Sequence, residues 1–123
     1  MFALTQERKT LGELGEAEAV RHLKKNGYRI LQTNFRVAVG EIDVIAEQGN
    51  VLVFIEVKTR SGARFGGALV AVNIHKQRKI IMVAESFLAR YKVAGRDIRF
   101  DVVTVEGKPG DWKVQIVENA FRA

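Results

Sequence analysis

The chain has 123 residues, 47% of them apolar and one of them proline, which bounds it to a single domain with a packed core rather than two domains or a disordered segment. Cysteine is absent; this excludes disulfides, thiolate metal sites and a cysteine nucleophile, and suits the reducing cytoplasm where the protein is expected to work. Twenty Lys and Arg against fourteen Asp and Glu leave a formal charge of +6, spread along the chain, a balance that favours polyanionic partners.

The opening MFALTQERKT turns polar too early for a secretory signal. Residues 7–26 read as a first helix, because Leu11, Leu14, Ala17, Val20 and Leu23 recur at helical spacing and Gly27 follows Asn26 as a stop. Glu16 lies at the edge of that stripe. Residues 28–37 read as a strand. Two more follow at 41–48 and 51–59, joined by Gly49-Asn50, a signal for a tight hairpin.

The glycine-rich stretch 60–72 begins as a loop carrying Arg60 and Arg64. Asn73 is an N-cap for a second helix, 74–91, with an expected buried stripe of Ile74, Ile81, Ala84, Leu88 and Tyr91. Its apolar run is broken by Glu85 and Arg90 and is too short to span a bilayer, so no membrane association is expected. Residues 97–106 form a fourth strand, 108–111 a turn and 112–118 a fifth strand. The order predicts one α/β domain, 1–123, with a mixed five-stranded sheet flanked by helices. A parallel crossover through the second helix would seat the fourth strand beside the third.

A two-residue loop at Gly49-Asn50 sets Gln48 opposite Val51. Continued along the hairpin, that register puts Asp43 opposite Glu56 and Glu41 opposite Lys58. Glu41, Asp43, Ile45, Phe54, Glu56 and Lys58 then share one face, and Ile42, Val44, Ala46, Val53, Ile55 and Val57 the other. Facing carboxylates repel and destabilise a sheet unless a cation lies between them. Two carboxylates with waters suit Mg²⁺, which prefers oxygen ligands. The plain alternative is a solvated charged face, against which stand Ile45 and Phe54 on the same face.

Gly15-Glu16 on the first helix, GEID at 40–43, FIEVKTR at 54–60 and RFDVV at 99–103 together resemble the YraN-like bacterial proteins. That family is similar to the PD-(D/E)xK nuclease superfamily, whose fold restriction endonucleases and archaeal Holliday junction resolvases share. A D…ExK pattern alone is common by chance. The helix glutamate, the hairpin spacing and the Lys-Thr-Arg continuation make it specific over about Leu11 to Val105.

The resemblance implies a restriction-endonuclease-like fold and a metal-dependent endonuclease that hydrolyses DNA phosphodiester bonds, with branched DNA favoured through the resolvase likeness. It implies Asp43 and Glu56 as ligands of Mg²⁺ or Mn²⁺, and Lys58 as the residue that positions the attacking water and stabilises charge on the phosphate. Glu16 matches a first-helix acid that helps hold metal-bound water, and Gln77 a glutamine that some relatives carry in the active site. Ile42 stands where the motif has proline, a loosely kept position. Many relatives cut as dimers, so a homodimer is an expectation too.

Alternatives stand beside these roles. Arg60 and Arg64 suit phosphate contacts or a loop surface. Lys76 and Lys79 read as a solvated helix face that also meets phosphates, and Gln77 as a satisfied, half-buried amide. Glu41 is a partner for Lys58. Asp101 supports the site or forms a structural salt bridge. His22 and His75 lack metal-like spacing, and Trp112 and Phe121 read as packing residues. The rival to catalysis is a non-catalytic nucleic-acid-binding adaptor that keeps the nuclease fold; a metal-stabilised interaction domain comes third.

Overall fold

The computed structural model describes residues 9–61 and 72–123. Its elements run α1 (Leu11–Lys25), β1 (Arg29–Val37), β2 (Gly40–Gln48), β3 (Val51–Arg60), α2 (Ile74–Arg90), β4 (Ile98–Lys108) and β5 (Asp111–Phe121). The five strands lie in sequence order in one sheet, antiparallel except where β4 runs parallel to β3. The expected crossover through the second helix is therefore present. The mixed sheet with a helix layer on each face is the restriction-endonuclease-like α/β arrangement.

Local chemistry sets the boundaries. Thr10 caps α1 through a reciprocal capping box with Glu13, and Asn73 caps α2 by accepting from the Lys76 amide. Gly49 takes a φ of +61° at the first position of the β2–β3 turn, a conformation that glycine adopts without strain. The two apolar clusters divide by sheet face. Ile80, Val83, Ala84 and Phe87 of α2 pack on Phe35, Ile45, Leu52, Phe54 and Phe100. Ala19 and Leu23 of α1 pack on Val44, Ala46, Val53, Ile55, Val103 and Val105.

Both helices bury a stripe that matches the expected one only in part, at Leu23 in α1 and Ala84 in α2. In α1 the buried residues are Gly15, Ala19 and Leu23, whereas Leu11 and Ala17 are exposed. The reason is close approach: a Cβ on Gly15 would stand 2.2 Å from Thr59 Oγ1 and 2.8 Å from Thr59 Cβ, so only glycine lets the helix settle on β3. In α2 the stripe is turned toward Ile80, Val83, Ala84 and Phe87, leaving Ile74 and Tyr91 exposed and Ile81 and Leu88 at the cluster's edge. Phe87 fixes this rotation by edge-on contacts with Phe35 and Phe54. Among the described residues no helix is long and apolar enough to cross a membrane.

Candidate active site

The hairpin register holds from Gln48↔Val51 to Val44↔Ile55 and ends there. Asp43 and Glu56, expected as the next ladder pair, are not paired through their backbones, and neither are Glu41 and Lys58. Below the last pair, β2 keeps its ladder with β1 through Ile42, Glu41 and Gly40. The two strands fork at this point because the Asp43 side chain intervenes: Asp43 Oδ2 accepts the Val57 backbone N–H at 2.8 Å. Alternation fails here as well. Ile42 packs in the α2-side cluster while Val44 packs in the α1-side cluster, so Ile42 does not share the face expected for it.

The fork gathers acids from three elements. Glu16 from α1, Asp43 from β2 and Glu56 from β3 line one open cleft of about 470 Å³, together with Glu13, Lys58 and Thr59. Gly15 is what lets α1 bring Glu16 down to this end of β3. Glu56 is buried. Its carboxyl is pushed up to about 7, first by burial and then by the charge of Asp43, to which the protonated group is hydrogen-bonded. Lys76 opposes this from the first turn of α2, with its Nζ 3.4 Å from Glu56 Oε2.

Glu16 is also held above the usual carboxylate range, by partial burial and then by Asp43, against a hydrogen bond from Asn34. Asp43 is thus the shared neighbour of both glutamates. Among the described residues, no three acids or histidines close on one point as a ready-made metal cage. Mg²⁺ needs no such cage, since it is commonly held by one or two carboxylates and keeps its waters. The donor set fits: two carboxylates forced together at the fork, hard oxygen ligands, with Glu56 pushed up by burial and by Asp43 beyond what Lys76 offsets.

The remaining expected residues divide. Lys58 lines the acidic cleft, and Arg60 and Lys79 are exposed. Arg64 lies outside the described residues. Gln77 is half-buried and donates to the Val72 carbonyl at 2.9 Å, the satisfied amide of the plain reading. Lys76 is more than a solvated face, because its head group meets Glu56. Glu41 pairs with Arg36 at 3.0 Å and not with Lys58.

Asp101 is wholly buried, accepting from Tyr28, from Arg99 and from the Asn119 amide, which fixes it as a structural ion pair tying β4 to the α1–β1 junction and β5. Phe121 stacks on Phe100, and Trp112 packs on the α1-side cluster. Two residues escaped the sequence reading. Asn34 bonds Glu16 from a backbone φ of +53°, and its signal was an asparagine inside a strand, where that residue is depleted. Glu13, the cap partner of Thr10, lines the same cleft.

A profile described as "Uncharacterised protein family UPF0102" matches residues 15–105, an interval that contains every acid of the cleft except Glu13. The chain is 45% identical over 116 residues to a UPF0102 protein of Caldicellulosiruptor saccharolyticus, covering 93% of this chain and 98% of that one. A Symbiobacterium thermophilum relative is 46% identical over 114 residues, with 92% and 97% covered. One from Legionella pneumophila is 38% identical over 121 residues, with 98% of each covered. The chain belongs to family UPF0102, the YraN-like family that its motifs resemble.

Proposed function

We propose that this protein is a metal-dependent endonuclease of the PD-(D/E)xK kind, hydrolysing phosphodiester bonds in DNA with Mg²⁺ or Mn²⁺, and that branched DNA is its substrate class. The observation that carries the reading is the forced meeting of Asp43 and Glu56 at the β2–β3 fork, with Glu56 pushed up to about 7 by burial and by Asp43 even though Lys76 stands 3.4 Å from it. A binding module needs basic residues but no such pair, and acids facing a phosphate weaken its grip. The preference for branched DNA rests on the resolvase likeness of the motifs.

Asp43 and Glu56 would hold the ion, which when bound polarises the phosphate and makes a water a better nucleophile. Asp43 is fixed for this by the Val57 amide, so its carboxylate does not have to reorganise. Glu16, held above its ordinary range by burial and by Asp43, suits a group that orients water and accepts its proton. Lys58 brings a cation into the same cleft, where it balances charge developing on the phosphate oxygens. The start of α2 carries His75, Lys76, Arg78 and Lys79 and no acid in its first turn, a basic rim for the flanking strand.

The test separates cutting from binding. End-labelled four-way junctions, flaps, single strands, duplexes and RNA are incubated with the protein in Mg²⁺, in Mn²⁺ and in chelator, while gel shifts record binding. Metal-dependent cleavage of branched DNA supports the reading. Tight binding with every substrate intact under all conditions replaces it with the adaptor.

A further inference from the structure

We infer that Lys76 is the resident counter-ion of the carboxylate pair, a cation built into the fold that a divalent metal displaces from Glu56 when it binds. The inference rests on the proposed metal role of Asp43 and Glu56. Its geometric basis is the Nζ of Lys76 standing 3.4 Å from Glu56 Oε2, across from a carboxylate whose side chain is only 7% exposed. Asp43 approaches the same glutamate from the β2 side. Glu56 is therefore held between one competing anion and one cation, and a metal taking up its oxygens competes with the ammonium.

The position of Lys76 argues that the contact is specific. It lies in the first turn of α2, three residues after the Asn73 cap, and its own amide donates to Asn73 Oδ1 at 2.9 Å. Helix dipoles favour acids in this turn and disfavour lysine. Here the first turn has no acid, so the helix keeps a cation where its own field opposes one. A local conflict of this kind marks a residue placed for something outside its own element. Glu56 is the group that compensates it.

The contact is also built to release. The Lys76 side chain is 44% exposed, on a flexible four-carbon stem, so the displaced ammonium swings into solvent without disturbing the core. A half-exposed pair is weak enough for a divalent ion to break, yet strong enough to lower the ion's apparent affinity by about tenfold.

Calorimetric titration of the full chain with Mn²⁺, without nucleic acid, tests this on wild type, Lys76→Met, Lys76→Arg, Lys79→Met and Glu56→Gln, each checked for folding by circular dichroism. Lys76→Met should bind Mn²⁺ about tenfold more tightly than wild type. Lys76→Arg should stay near wild type because it keeps the charge. Lys79→Met, which removes the same charge from an exposed neighbour, should change affinity less than about twofold. Glu56→Gln should lose the site. Equal or weaker binding by Lys76→Met, with Glu56→Gln still losing it, overturns the counter-ion and leaves the carboxylate site standing. A tightening shared by Lys79→Met also overturns it, as a general field effect. If no variant binds Mn²⁺ and Glu56→Gln matches wild type, the metal reading fails and takes the inference with it.

Discussion

Replacing Glu56 by glutamine should stabilise the metal-free protein, and more so at high pH than at low. In the folded state its carboxyl is pushed up to about 7 from an ordinary 4.5, by burial and by Asp43. The unfolded chain has no such neighbours, so the native state holds this proton more tightly. The resulting contribution to stability is complete below pH 4.5 and is lost as the pH rises through about 7. At about 1.4 kcal/mol per pH unit, the loss is on the order of 3 kcal/mol once the group has ionised. Glutamine keeps the volume and does not ionise. Urea melts in chelator should therefore show the gap between Glu56→Gln and wild type widening in the variant's favour by about 2–3 kcal/mol from pH 5 to pH 8, or about 10 °C in Tm. A gap that stays constant or narrows over that range would refute the idea that burial and Asp43 hold the Glu56 carboxyl above its ordinary range.

Asp43→Asn keeps an oxygen for the Val57 amide but removes the like charge, so cleavage should be abolished while DNA binding in gel shifts is equal or tighter; weakened binding would count against it. Gly15→Ala drives a Cβ into Thr59, and despite better helix propensity it should cost about 1–3 kcal/mol in a denaturant melt and reduce turnover by lifting Glu16 off β3. Unchanged stability would mean that the contact relaxes freely. Asp101→Ala leaves the Arg99 guanidinium with only the exposed Glu118 as a carboxylate partner and strands the Tyr28 hydroxyl and the Asn119 amide, and should cost about 3–5 kcal/mol, read from the same melts, without moving the pH profile of cleavage. A shifted profile would tie Asp101 to the site.

The hairpin was legible because its determinants are local: Gly49-Asn50 sets the turn and the alternation of Val and Ile sets the register. Asn73 was legible as a cap for the same reason. The fork at Asp43 was not, since it depends on a side chain taking the Val57 amide in place of a backbone partner, and strand alternation carries no trace of that. The α1 stripe was misread in part because apolar spacing gives no weight to glycine, whereas Gly15 lies so near Thr59 that a Cβ there would collide with it. Lys76 read as an exposed face because its meeting with Glu56 joins residues twenty positions apart through the packing of α2. Asp43 and Glu56 were legible from type and spacing and Glu16 from the family resemblance, and the structure gathers all three in one cleft.

Single-turnover cleavage of a labelled four-way junction in Mn²⁺, with wild type beside Asp43→Asn and Lys58→Ala and binding followed on the same samples, tests the central claim most directly. The account predicts cutting by wild type that chelator stops and both substitutions abolish while the junction remains bound. Cutting that survives both substitutions, or a bound junction that wild type never cuts, would contradict it.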